Sequence, residues 1–159
     1  MNRDLAARAI GLMARHGLTV ATAESLTGGL VAAALTTVPG SSAVFRGGIV
    51  AYTADVKSSL LGVPEALLDA VGTIHPDVAK AMAAGARRNL RAAVGVATTG
   101  VAGPDAAEGH PVGTVHIAVS TPVDMAHREL ALPGDRDQVR YETVRQALEL
   151  LLHLVGGDA

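Results

Sequence analysis

Three short β-type runs, each divided from the next by a helix-type segment, constrain this chain more than any other feature. They are LTVATA (Leu18 to Ala23), GGIVAYT (Gly47 to Thr53) and AVGVATT (Ala93 to Thr99). Parallel strands in one sheet need a long crossover between them, usually a helix, and the segments between these runs can supply it. Leu5, Ala6, Ile10, Leu12 and Met13 recur at helical spacing from Asp4 to His16, with Gly17 placed to end the helix. GGLVAAALTTVPG predicts a helix stopped at Pro39-Gly40, and Val56 to Leu61 and Pro64 to Val71 predict two short helices divided by Gly62. Pro76 suits the first turn of a helix running to about Ala92, because proline has no N–H to lose there.

The pattern then changes. TVHIAVST and MAHRELALP alternate as an antiparallel hairpin around Pro122-Val123-Asp124. A last helix, Asp135 to Leu154, carries a buried stripe of Val139, Val144, Ala147, Leu148 and Leu151, continued by Val155. Together these elements predict one α/β domain over residues 1–159, a three-layer α/β/α sandwich around a mixed, mostly parallel sheet.

Composition narrows the function. Of the residues, 49% are hydrophobic and 18% charged, which fits a packed globular core. The net charge is -2, and Phe45, Tyr52 and Tyr141 are the only aromatics, so neither a basic patch nor a stacking platform argues for nucleic acid. With no cysteine there is no disulfide framework, thiolate metal site or cysteine nucleophile. The six histidines are scattered outside any ligand-spacing motif, so no metal is expected. No apolar run is long enough to span a membrane, and the N-terminal segment interleaves acid and base unlike a leader; the expected location is the cytoplasm.

The residues with chemistry lie where strands give way to helices. Ser25, in Glu24-Ser25-Leu26-Thr27-Gly28-Gly29, follows the first run. There it could act as nucleophile, ligate a phosphate at a helix N-terminus, or, like Thr27, only cap the helix. A serine nucleophile needs a base. Lys57 follows the second run and could reach the same sheet edge, with Tyr52 five residues earlier. A lysine acts as base only if burial or nearby positive charge lowers its proton affinity. The loop TTGVAGPDAAEGHPVGT (Thr98 to Thr114) is long for a compact domain and suits a pocket wall. Asp135 fits a helix N-cap, and Arg136 and Arg140 share one face of the following turns, a pair suited to a phosphate.

Five motifs in this order, TVATAESLTGG, VPGSSAVFRGGIVAYTADVKSSLLGV, TTGVAGPD, PVGTVHIA and GDRDQVRYETVRQAL, closely resemble the C-terminal domain of the CinA proteins. The likeness covers about Leu5 to Val155. That domain also occurs alone, as the PncC type of nicotinamide mononucleotide amidohydrolase, and the length of this chain resembles the stand-alone form. The resemblance implies an α/β/α fold, a homo-oligomer, no cofactor, and hydrolysis of nicotinamide mononucleotide to nicotinic acid mononucleotide and ammonia in pyridine nucleotide salvage. It implies Ser25 as nucleophile, Lys57 as base and Tyr52 as a third catalytic group. It places Glu24, Thr27, Gly28, Gly29, Gly48, Thr99, Gly100, Ala102, Gly103 and one of Arg136 or Arg140 around the small-molecule nucleotide.

One stretch departs from the family pattern. Relatives commonly continue GxAGP with a glycine-rich stretch and a lysine before PVGT. Here the chain reads Asp105-Ala106-Ala107-Glu108-Gly109-His110-Pro111. Alanine tolerates positive φ poorly, so the loop is expected to close differently, at a cost in affinity rather than in fold. That departure motivates a second reading, a nucleotide-binding module without catalysis. A third is a different acyl or phosphoryl hydrolase sharing the site.

Overall fold

A computed structural model of the chain describes residues 2–156. Its five strands are β1 (Val20–Glu24), β2 (Phe45–Val50), β3 (Val94–Gly100), β4 (Thr114–Ser120) and β5 (Met125–Ala131). They form one sheet in the order β2-β1-β3-β4-β5. β2, β1 and β3 run parallel, while β4 and β5 add the antiparallel hairpin. The helices are α1 (Asn2–Arg15), α2 (Leu30–Thr36), α3 (Ala54–Leu61), α4 (Glu65–Val71), α5 (Pro76–Asn89) and α6 (Arg136–Gly156). Every predicted element is present. The ends move where side chains or turns intervene: β1 starts at Val20 rather than Leu18, and β2 spans Phe45–Val50 rather than Gly47 to Thr53.

Alternation along the strands sorts side chains by size. Val20, Val94, Val96, Val115, Ile117 and Val119 face one way and pack with residues of α1, α2 and α6, including Ile10, Leu35 and Leu148. Ala21, Ala23, Ala97 and Ala118 face the other way, against Leu61 of α3 and Val78, Ala79, Met82 and Ala83 of α5. The small-residue face lets α5 lie close. A Cβ added at Gly95 would sit 2.0 Å from the Ala83 carbonyl oxygen. With helices on both faces, β1 is buried along its whole length, as a central parallel strand must be. Among the described residues, no helix is long and apolar enough to cross a membrane.

The topology also fixes where a ligand can go. From β1 the chain crosses by α2 to β2 on one side, then returns through α3, α4 and α5 to β3 on the other. The connections that leave β1 towards β2 and β3 towards β4 therefore diverge and open a crevice at the carboxyl ends of these strands. Because β4 is antiparallel to β3, the 101–113 loop joining them lies over that same end.

Candidate active site

Ser25 is the first residue past β1. Its N–H donates to the Thr98 carbonyl at 3.0 Å, which extends the β1–β3 ladder and holds the serine at the sheet edge. Lys57 comes from the neighbouring connection. β2 ends at Val50, the Ala51 N–H donates to the Glu24 carbonyl at 2.9 Å, and extended Thr53 opens α3 two residues earlier than the sequence pattern predicts. Lys57 thus sits in the first turns of α3 with its side chain folded back beneath the preceding loop. Its Nζ lies 2.9 Å from Ser25 Oγ, 2.9 Å from the Ala51 carbonyl oxygen and 3.2 Å from that of Tyr52.

Only 1% of the Lys57 surface is exposed. Burial away from water disfavours the ammonium and lowers its pKa from 10.5 to about 8, against an opposing pull from Glu108. Two carbonyls and one hydroxyl satisfy either state of the amine. The ammonium donates to all three. The neutral amine donates twice to the carbonyls and accepts from the serine hydroxyl.

The glutamate before Ser25 faces elsewhere. Glu24 Oε1 accepts from the Thr27 hydroxyl at 2.7 Å and the Val31 N–H at 2.8 Å, and Oε2 accepts from the Ala32 N–H at 3.0 Å. Since Thr27 spends its one proton on Glu24, the Thr98 hydroxyl must be the donor in their 2.8 Å contact. Glu24 thus caps α2 from inside the protein. Its carboxylate occupies the place where a helix N-terminus would otherwise attract an anion, so the phosphate-ligand reading of this turn does not fit. Glu24 and Thr27 are 1% and 0% exposed and belong to the support of the site rather than to its wall.

Other expected positions divide in the same way. Ser25, Tyr52, Thr99 and Gly100 line a cleft of about 310 Å³. So do Ala102, Gly103 and Arg136. Gly28 and Gly29, with φ of +57° and +104°, instead shape the turn into α2. Gly48 lies within β2, where a Cβ would fall 2.4 Å from Thr22 Oγ, and it is not among the residues lining this cleft.

The two arginines also part company. Asp135 and Gln138 form a reciprocal cap: the Gln138 N–H donates to Asp135 Oδ1 at 2.9 Å, and the Asp135 N–H to Gln138 Oε1 at 2.8 Å. This fixes Arg136 as the first residue of α6. Arg136 bridges the cleft mouth, donating to the Gly103 carbonyl at 2.6 Å and the Tyr52 hydroxyl at 3.1 Å. Arg140, one turn on, is drawn onto the serine turn and donates to the carbonyls of Leu26 at 2.9 Å and Thr27 at 3.4 Å. Tyr52 therefore meets Lys57 through its backbone carbonyl, while its hydroxyl serves Arg136.

Further lining residues that were not candidates from the sequence include Thr73, Ile74, Asp105 and Glu108. Nothing local marks Thr73 and Ile74, which reach the cleft only because α5 begins beside β3. Glu108 lies in the divergent loop. Positive φ falls not on Ala106 or Ala107 but on Glu108 (+52°) and Gly109 (+78°). These form a two-residue turn, closed by hydrogen bonds of 3.1 and 2.9 Å between Ala107 and His110. Holding glutamate in this region costs about 1–2 kcal/mol. Its carboxylate accepts from the Thr73 N–H at 3.1 Å and the Thr73 hydroxyl at 2.6 Å, which ties the loop across the cleft. Among the described residues, no group of three or more His, Asp or Glu side chains is arranged for a metal.

The sequence profile of the CinA C-terminal domain matches residues 2–155. A CinA-like protein of Frankia casuarinae is 51% identical over 148 residues, covering 93% of this chain and 34% of its own length. A CinA-like protein of Gemmatimonas aurantiaca is 42% identical over 98% of this chain and 37% of its own. This chain thus spans about a third of the length of the curated relatives it matches. The crystal structure of the competence/damage inducible protein CihA from Agrobacterium tumefaciens superposes with a TM-score of 0.93 at 43% identity, over 96% of this chain and 94% of that one. A CinA superfamily protein from Escherichia coli does so with a TM-score of 0.94 at 32% identity, over 97% and 90% of the two chains.

Proposed function

The chain belongs to the CinA C-terminal domain family, and from that premise we propose that it is a serine amidohydrolase that converts nicotinamide mononucleotide and water to nicotinic acid mononucleotide and ammonia. The observation that carries the reading is the buried amine of Lys57, 2.9 Å from Ser25 Oγ, with its proton affinity lowered into the working range of a base.

The neutral amine takes the Ser25 proton as Oγ attacks the amide carbon. The N–H groups of Leu26 and Thr27, outside the turn's own hydrogen bonds among the described residues, are the donors assigned in this scheme to the charge forming on the amide oxygen. Collapse breaks the carbon–nitrogen bond, and protonated Lys57 gives its proton to the departing amine, which leaves as ammonia. Water then attacks the acyl-serine ester. Lys57 takes the water proton and returns it to Ser25, releasing the acid. Arg136, at the cleft mouth, suits the phosphate. Tyr52 and Arg140 are positioning residues in this scheme. The reading includes a single domain in the cytoplasm, assembled as a homo-oligomer.

The test is ammonia release from nicotinamide mononucleotide, with Ser25→Ala as control. The expected result is turnover in the wild type and a loss of at least about 10³-fold in the variant. Thermal stabilisation by the nucleotide without ammonia release would favour the binding-module reading instead. Cleavage of pyrophosphate in related dinucleotides would favour a different hydrolase.

A further inference from the structure

Among the described residues, three charged side chains line the cleft: Arg136, Asp105 and Glu108. Arg136 and Glu108 are each held by neutral groups, Arg136 by the Gly103 carbonyl and the Tyr52 hydroxyl, Glu108 by the N–H and hydroxyl of Thr73. No ion pair among the described residues cancels either charge. Glu108 is also fixed in place. Its left-handed backbone and the Ala107–His110 turn aim it at Thr73, in a conformation that asparagine or glycine would adopt more easily. Its field reaches the reacting centre, since it is the one acid that pulls against the lowered proton affinity of Lys57.

We propose that Glu108 is a specificity residue of this cleft, favouring amide substrates whose ring carries a positive charge over neutral-ring analogues of the same shape. The identity of the amide rests on the amidohydrolase reading; the preference for positive charge rests on the cleft itself. A fixed carboxylate stabilises a cationic ring as soon as it binds. The ring charge does not change as Ser25 attacks, so the effect falls on binding and KM rather than on kcat. At an effective dielectric near 20, a fixed unit charge in the same cleft as a cationic ring changes affinity by roughly tenfold, and water at the exposed rim reduces this to several-fold.

The probes are nicotinamide mononucleotide, whose ring is a cation, and its reduced dihydro form, whose ring is neutral. Binding of each is measured by calorimetry on the full chain carrying Ser25→Ala, which prevents turnover. Adding Glu108→Gln, which removes the charge and keeps an acceptor for Thr73, is expected to weaken the cationic nucleotide about five- to tenfold and the neutral one less than twofold. Glu108→Asp, which keeps the charge, should restore most of the preference. Equal weakening of both nucleotides would mean that Glu108 only ties the loop, and would overturn the inference, as would no weakening or no binding of either. Ammonia release by the wild type without a ring-charge preference overturns this inference and leaves the amidohydrolase reading standing. A ring-charge preference without ammonia release does the reverse.

Discussion

The floor and the rim of the cleft are built on opposite principles. On the floor, Glu24, Ser25, Thr27, Lys57 and Thr98 are buried, and hydrogen bonds join Thr27 to Glu24 and Thr98, and Lys57 to Ser25. At the rim, Tyr52, Asp105, Glu108 and Arg136 are exposed, and the bonds that hold Arg136 and Glu108 leave their charges unpaired. Burial changes what a group is: the Lys57 amine gives up its proton more easily because water is excluded. Exposure leaves a group as it was and uses its charge at a distance, where water weakens it. Damage to the floor should therefore cost reaction rate or folding, whereas damage at the rim should cost affinity and choice of substrate.

The largest expected break is Lys57→Met. Loss of the base should lower kcat by about 10³-fold or more. In the wild type, kcat/KM should rise with pH through about 8 as the amine loses its proton, and the variant should lose that rise. Stability carries the same signature. Between about 8 and 10.5 the unfolded chain binds a proton that the folded chain has released, so stability rises with pH across that window. The contribution is complete above the ordinary lysine value and is lost as pH falls through about 8. Its full size is about 3 kcal/mol. Urea unfolding of wild type and Lys57→Met at several pH values should show the gap between them shift in favour of the wild type as pH rises.

Next is Glu24→Ala, which breaks the floor without touching the reacting atoms. The Val31 and Ala32 N–H groups and the Thr27 hydroxyl would lose their acceptor. The expected loss is about 2–4 kcal/mol of stability, read from the midpoint of chemical unfolding. An unchanged midpoint would show that α2 does not depend on this cap.

Rim changes should be smaller and fall elsewhere. Arg136→Gln should raise KM for a phosphorylated nucleotide by roughly tenfold, with little change in kcat, because it removes an exposed charge remote from the dyad. A fall in kcat of the same size would instead move Arg136 into the reacting centre. Tyr52→Phe should be the mildest, about two- to threefold. It removes one acceptor from Arg136 and leaves the Tyr52 carbonyl on Lys57. A loss near that of Lys57→Met would restore a catalytic role to the phenol.

Much of this was legible from the chain alone. Apolar periodicity located the strands and helices, because side-chain direction repeats every two residues in a strand and every 3.6 in a helix. Gly17, Pro39 and Pro76 marked helix ends, since each acts on backbone freedom within a residue or two. Ser25 and Lys57 stood out as polar residues at the ends of β-type runs. Less legible were Glu24, whose motif suggested ligand contact but whose carboxylate caps α2, and Gly48, where an added Cβ would collide with Thr22 Oγ. Thr73 escaped because its importance comes from a neighbour 35 residues away, Glu108.

The sequence by itself determined the order of elements, the sandwich of helices about a mixed sheet, and the candidate serine and lysine. The order and the sandwich follow from local periodicity; Ser25 and Lys57 were candidates by their place after strand ends, and their roles came from the likeness to CinA C-terminal domains. Only the tertiary structure decided that the amine is dry and meets the hydroxyl, that Arg136 rather than Arg140 reaches the cleft, and that Glu108 reaches across it to Thr73. Each of those depends on distance and solvent exclusion between segments far apart along the chain, and local patterning carries no record of either.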